Sequence, residues 1–288
     1  MSPPAEVMTA VGRTDGEATA DPVAPSHGSG RRISRWWSLV LLVPLVALWE
    51  VVARLGWVSD RLLPSPIEVA DGWTSLLARG YFWEHLWSTL RVIVGGFLLA
   101  SAAGALLAIV INTSSFVRRG VYPVIVAGDV IPKIALIPLI IVTFGFGTTS
   151  RLIIVVTGSF FPVFLNTLTA LGNADTEGEM LLRSLGANKL QHLRMHKIPA
   201  GLQTIFAGLK ISLTVAFIAG ILAELLIRNE GLGYLITQFS SIVRIDLVFA
   251  VTITVALMGM GLFLAMEWAE RRIVFWVDHG HDVDAMPL

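Results

Sequence analysis

The chain has 288 residues, of which 55% are hydrophobic and only 15% charged, a balance that excludes an ordinary soluble domain and points to a protein that lives in a bilayer. Formal net charge is zero, from 21 basic and 21 acidic residues, so no overall basic field recruits nucleic acid and the electrostatic information lies in where the charges fall. Cysteine is absent, which excludes disulfides, thiolate metal sites and cysteine nucleophiles.

Residues 1–34 are rich in Pro, Ala, Ser, Gly, Thr and Asp and carry no apolar period, so they cannot bury enough surface to order and are expected to form a disordered cytoplasmic tail. The first apolar run starts at Trp36, behind Arg31, Arg32 and Arg35, the layout of a retained span and not of a cleaved signal peptide. A bilayer needs about 20 apolar residues per helix. Six runs qualify, roughly Trp36 to Val52, Thr89 to Ile111, Val121 to Phe146, Leu152 to Leu171, Thr204 to Ile227 and Leu247 to Trp268. The sequence therefore predicts an all-α integral membrane protein, with about six transmembrane helices in a domain over residues 35–276 and a short cytoplasmic tail over 277–288.

Basic residues orient the spans. With the N-terminus inside, the cytoplasmic side holds Arg13, Arg31, Arg32, Arg35, Arg118, Arg119, Arg183, Lys189, Arg194, Lys197, Arg271 and Arg272. The outer side receives Arg54, Arg61, Arg79, Arg91, Arg151, Arg228 and Arg244. The excess of inside charge predicts a multi-pass membrane protein with both termini in the cytoplasm.

Span two carries Gly96, Ala100, Gly104 and Ala108 at four-residue intervals, a stripe that lets another backbone approach and reads as packing. Span three is interrupted by Pro132 and Pro138 and ends in Phe144-Gly145-Phe146-Gly147. Backbone groups freed by proline at membrane depth must be satisfied by neighbouring helices or a wet cavity, so this span either lines a pathway or carries packing kinks. Ionisable groups inside spans are costly and mark candidate functional sites. Asp129 and Lys133 are four apart with Pro132 between them, the spacing of an ion pair on one helix face; they read either as a structural pair or, with Glu224, as the candidate translocation pathway. For Glu224, near the outer end of span five, an outer-gate contact and an interfacial carboxylate are equal readings. Lys210 lies near enough to the cytoplasm for its stem to snorkel.

Catalytic motifs fail. Lys never follows Gly, so the phosphate-cradling GxxxxGK[ST] loop is missing and this chain binds no nucleotide by that route. His192 and His196 have helical i, i+4 spacing, but Leu193 stands where HExxH needs Glu and a third ligand is missing, so no metal site is assigned. His279 and His281 read as part of a solvated terminus. No GxSxG elbow appears. A secondary transporter would show a nested repeat, and an intramembrane enzyme would need a nucleophile and base at one depth; neither pattern emerges.

The segment from Asp175 to Pro199 is polar and helix-prone between two apolar runs, which makes it a docking surface on the cytoplasmic side between spans four and five. A helix, then Arg183-Ser184-Leu185-Gly186-Ala187, then a second helix through His196 to Ile198-Pro199 reads as a helix-turn-helix with Gly186 at the turn. Here the chain resembles the permease subunits of ATP-binding-cassette importers, whose motif reads EAA, three residues, Gly, nine residues, then I-x-L-P. Gly186 and Pro199 match in register. Met180, Leu181 and Leu182 stand at the EAA positions with Glu179 one residue early, and His196 and Ile198 replace Ile and Leu. Leu63-Pro64-Ser65-Pro66, Ile131-Pro132-Lys133-Ile134-Ala135-Leu136-Ile137-Pro138-Leu139, Phe144-Gly145-Phe146-Gly147 and Gly231-Leu232-Gly233-Tyr234 are, in this order, similar to the nitrate, sulfonate, taurine and thiamine-precursor branch.

The resemblance implies a mechanism and a set of partners. Two permease copies form the pathway in membrane lipid, and an extracytoplasmic binding protein delivers the solute. Two cytoplasmic ATPase subunits hold the ATP and Mg²⁺, while this chain binds no cofactor and is not itself an enzyme. It implies an ATPase-coupling loop at Glu179, Leu182, Ser184, Leu185, Gly186, Ala187 and Pro199. Leu181, Leu182, Leu185, Leu190 and Leu193 are expected to supply the apolar contacts that stiffen this lever. The implied cargo is a small anionic or polar solute, such as a sulfonate or taurine, nitrate, bicarbonate or an aromatic carboxylate, with a pyrimidine or thiamine precursor as the alternative.

Overall fold

A computed structural model describes residues 35–55, 63–112, 115–173 and 176–276. The tails expected over 1–34 and 277–288, with His279 and His281, lie outside the described residues. All regular elements among the described residues are helical. They are α1 (Arg35–Arg54), α2 (Pro66–Leu77), α3 (Gly80–Asn112), α4 (Ser115–Asp129), a 3-10 turn (Lys133–Leu136) and α5 (Ile137–Phe144). Then follow α6 (Thr148–Gly172), α7 (Thr176–Ser184), α8 (Lys189–His192), a π segment (Leu193–Lys197), α9 (Ile198–Ile227), α10 (Leu232–Ser241) and α11 (Ile245–Ile273). The chain divides within α1 into an N-terminal unit ending at Leu45 and a second unit from Val46 onward, which holds the bundle.

Four of the described helical stretches are long and apolar enough to cross a membrane: 80–112, 148–172, 189–227 and 245–273. The span expected from Val121 to Phe146 is not continuous. Its helix stops at Asp129, and Pro132 holds an extended backbone (φ −66, ψ 101) before the 3-10 turn. Proline supplies no N–H to continue the ladder, and Pro138 then sits in the first turn of α5, where a missing N–H costs nothing.

α6 is the central helix, packed along α3 on one side and α9 on the other. The small-residue stripe of α3 is buried against it, with Gly96 on Val155 and Gly104 on the α6 backbone. A Cβ at Gly104 would lie 3.0 Å from the Phe160 carbonyl oxygen and 3.1 Å from the Phe164 nitrogen, so only glycine allows this approach. α2 begins with a capping box: the Ser65 hydroxyl accepts from the Glu68 N–H (3.2 Å), and the Glu68 carboxylate accepts from the Ser65 N–H (3.0 Å). The Trp49 indole donates to the Pro64 carbonyl (3.1 Å), which seats the Leu63-to-Pro66 segment. α2 then buries Val69 and Leu76 in a core shared with Phe82, Leu232, Leu247 and Val251.

Lys210 does more than snorkel. Its ammonium pairs with Glu270 at 2.5 Å, tying α9 to the last turns of α11 through a carboxylate that is itself buried. A buried carboxylate without this partner would carry its full desolvation penalty.

Candidate functional site

The elbow between α6 and α9 is built by local capping. Gly186 follows α7 with φ +76, and the Ala187 N–H closes back on the Leu182 carbonyl (3.0 Å), the six-to-one bond of a Schellman motif. Asn188 then starts α8 with a second capping box: its side chain accepts from the Gln191 N–H (2.9 Å), and Gln191 accepts from the Asn188 N–H (2.8 Å). The turn is thus fixed by its own sequence. At the base of the elbow, His192 is buried, the His196 ring lies on Gly178, and Gly201 of α9 lies against Ala170 of α6. The leucines expected to stiffen the lever mostly do the opposite. Leu181, Leu185 and Leu190 are 62%, 73% and 69% exposed, joined by Met180 and Met195, whereas Leu193 is only half-buried. Helical spacing alone cannot say which way an apolar face points when its partner is another protein, and here the face is bared. Ser184 turns its hydroxyl back onto the Leu181 carbonyl (2.7 Å), Pro199 stands in the first turn of α9, and Glu179 lies on α7.

The break after α4 forms a second candidate site. Lys133 and Asp129 pair across it, as their spacing suggested, even though the helix does not continue between them. The ammonium also lies 4.7 Å from the centroid of the Phe161 ring. Beside this pair is a cavity of about 370 Å³ between the break, α6 and α9, walled by Ile134, Ile137, Ile154, Val215 and Ile218, with Thr157 as its hydroxyl.

At the ends of α6 and α9 away from the elbow lies a buried charge cluster. Arg151, fully buried in the first turn of α6, donates to the Ser88 hydroxyl (3.2 Å), the Thr148 hydroxyl (3.1 Å) and the Glu230 carbonyl (3.1 Å), and it pairs with the Glu230 carboxylate. Glu224, 1% exposed, lies 3.5 Å from the same guanidinium. The first amides of α10 would be orphans at a helix start. Here the Gly231 N–H donates to His85 Nδ1 (2.9 Å), the Leu232 N–H to the Thr89 hydroxyl (2.8 Å) and the Gly233 N–H to Glu224 (3.0 Å). Thr89 in turn donates to Glu224 (2.9 Å), and the Tyr234 ring packs on His85. Burial alone would raise the Glu230 carboxyl, but the Arg151 charge and hydrogen bonds from Arg151, Ser88 and Thr148 outweigh it and hold the group below the usual glutamate value.

Residues 96–275 match the family described as binding-protein-dependent transport system inner membrane component. The chain belongs to that family. Relatives along nearly its whole membrane part agree. It is 34% identical to the formylaminopyrimidine transport permease protein of Halalkalibacterium halodurans, over 81% of this chain and 92% of that protein. It is 30% identical to the riboflavin transport system permease protein of Chloroflexus aurantiacus, over 82% and 88%. With the taurine transport system permease protein of Escherichia coli it shares 28% identity over 84% and 90%. The chain is accordingly a multi-pass permease of an ATP-binding-cassette importer, a class that works with an ATPase and a substrate-binding protein.

Within the permease, Asp129 and Lys133 come together at the cavity, while Glu224 does not join them and belongs to the separate cluster with Arg151. Sequence reasoning misses Arg151 as a site residue, and with it Thr89, Ser88, His85 and Glu230. Arg151 lies one residue outside the expected span, where it reads as a free outer charge. The signal is Glu224 itself, because a carboxylate inside a span requires a cation at the same depth, and Arg151 opens the neighbouring span at that end.

Proposed function

We propose that two copies of this permease form the translocation pathway of an importer in a bacterial plasma membrane, with both termini and the α7–α8 elbow in the cytoplasm. The elbow of each copy, through Leu182, Ser184, Leu185, Gly186 and Ala187 with Glu179 and Pro199 flanking, docks into a cytoplasmic ATPase subunit. ATP and Mg²⁺ stay on those subunits, and this chain carries out no chemistry. One observation carries the reading: a turn closed by its own caps presents Met180, Leu181, Leu185 and Leu190 bare, on a base packed tightly to α6 and α9. Exposed apolar side chains on a rigid polar elbow fit a protein cleft, and a stiff base passes a push on to both helices.

An extracytoplasmic binding protein delivers a small anionic or polar solute, a sulfonate or taurine, nitrate, bicarbonate or an aromatic carboxylate. A pyrimidine or thiamine precursor is the second reading. It is favoured by the 34% identity to a formylaminopyrimidine permease and by the pairing of Lys133 with Asp129, which leaves no free cation for an anion among the described residues at the cavity.

The test is the turn. Gly186→Val places a β-branched side chain at φ +76, a region such residues avoid. The variant permease inserts into membranes but loses binding-protein-stimulated ATP hydrolysis and uptake in proteoliposomes. Full uptake together with full ATPase activity would refute the coupling role.

A further inference from the structure

Resting on the permease reading, we infer that this chain has its own solute-contact site in the cavity between the 129–137 break, α6 and α9, and that the site takes the uncharged ring of a heteroaromatic solute in preference to a compact anion. The volume, about 370 Å³, falls in the range of about 300–1,000 Å³ usual for small-molecule pockets. Its walls are aliphatic, from Ile137 and Ile154 on the buried side to Ile134 and Ile218 at a rim where they are 66% and 60% exposed.

Charge decides the ligand class. Lys133, the one cation among the described residues that line the cavity, is already neutralised by Asp129 and rests against the Phe161 ring. A compact anion would have to compete with the Asp129 carboxylate for the one ammonium at the cavity, and the aliphatic walls would return none of its lost hydration. A flat neutral ring has no such conflict. It loses apolar surface to the isoleucine and valine walls, and its ring nitrogens need only a donor such as the Thr157 hydroxyl. The ion pair then serves as a fixed dipole at one edge of the site.

The experiment uses the assembled permease–ATPase complex in lipid nanodiscs, without the binding protein and without nucleotide. Saturation-transfer NMR is recorded with 4-amino-2-methylpyrimidine, uncharged at pH 7.5, and separately with methanesulfonate. The ring protons of the pyrimidine receive saturation and the methyl group of methanesulfonate does not. Ile218→Trp, which fills the cavity from an exposed rim position, weakens pyrimidine binding by about tenfold or more, the loss expected when a ligand is sterically excluded from its pocket. In the charge-neutral pair Asp129→Asn with Lys133→Met, methanesulfonate remains unsaturated as in the unmodified complex, because the native pair offers an anion no free cation to lose.

Saturation of methanesulfonate that disappears in the neutral pair would overturn the inference in favour of an anion site. So would an unchanged pyrimidine signal in Ile218→Trp, which would place binding elsewhere. A complex that assembles and hydrolyses ATP yet gives no ring signal, as when a second copy or lipid seals the cavity, sinks this inference and leaves the transporter reading standing. A chain that recruits no ATPase overturns both.

Discussion

Replacing Arg151 with methionine keeps a long unbranched side chain in a fully buried position and removes the guanidinium that serves Ser88, Thr148, Glu230 and Glu224. The largest loss is at Glu224. One of its carboxylate oxygens accepts from Thr89 and Gly233, while the other, Oε1, has no hydrogen-bond partner among the described residues and faces only Arg151 at 3.5 Å. Breaking a buried pair from one side costs about 3–5 kcal/mol, because the remaining charge is left uncompensated. Glu224→Gln retains an acceptor for Thr89 and Gly233, and Arg151 keeps Glu230, so its cost is that of a weakened hydrogen-bond set, about 1–2 kcal/mol.

The two changes together remove both charges and should cost about 2 kcal/mol less than the sum of the singles, since the stranded carboxylate no longer exists. Reversible unfolding of the purified permease in bicelles measures all three variants. The coupling should also be insensitive to salt, because the pair is screened from solvent. Additivity within about 0.5 kcal/mol would refute the reasoning. So would a cost for Arg151→Met below about 1 kcal/mol, the range of an exposed ion pair.

Three other outcomes follow from the same packing and charge arrangement. Glu230 has a depressed pKa, so its stabilising contribution is present above the ordinary glutamate value of 4.5 and is lost as pH falls through its lower folded value. Thermal midpoints measured down the acid range should show a slope that Glu230→Gln removes, and an identical slope in the variant would contradict the assignment. Gly104→Leu drives a side chain into the α6 backbone and should abolish folded, monodisperse permease, whereas Leu106→Ala, at an exposed position of the same helix, should leave the elution profile unchanged. Val243 holds φ +59 at an exposed turn between α10 and α11, a strained conformation for a β-branched residue. Val243→Asn should therefore raise stability by about 1 kcal/mol, and a fall in the thermal midpoint would show that the valine side chain makes a compensating contact.

Local features of this chain are legible in its sequence. Gly186 and the register to Pro199 announce the elbow, and Pro132 and Pro138 announce the break, because each acts through its own backbone. Ser65 through Glu68 carries the S-x-x-E spacing of the capping box that starts α2, a signal that goes unread until the structure shows the cap. The cluster is not legible. Arg151 meets Ser88 and Glu230 across 63 and 79 residues of sequence, and Thr89 meets Glu224 across 135. No periodicity links such positions, and a span boundary misplaced by one residue moves the central cation into a loop. The outward face of the elbow escapes the sequence for another reason: an amphipathic pattern marks a face as apolar without saying whether its partner lies in the same chain.

The two ends of α6 and α9 are closed by different chemistry, and that difference defines what can move. Near the elbow, Gly201 brings the α9 backbone onto Ala170 of α6 and the His196 ring rests on Gly178 of α7, leaving little compliance between the turn and the helices it joins. At the far end, Arg151 and Glu224 join α6 to α9 and draw in α3 through Ser88 and Thr89, and α10 through its first amides. α3, α6 and α9 are therefore fastened along their length and at both ends. Among the described residues, the stretch from Asp129 to Leu136 has no comparable clamp and is anchored only where Ile137 packs against Ile154, Ala223 and Ile227. An ion pair partly open to solvent, a 3-10 turn and two prolines connect α4 to α5, with aliphatic side chains exposed along the break and on α5. A push at the elbow would move the fastened helices as one body, and the strain would fall on the segment that borders the cavity. Cross-linking Thr157 to Val130 through paired cysteines should then block uptake while sparing ATPase docking, whereas a cross-link between Gly95 of α3 and Leu152 of α6, inside the fastened body where a Cβ at Gly95 meets the leucine at an ordinary 3.8 Å, should leave uptake intact. Equal inhibition by both would show that α3, α6 and α9 do not move together.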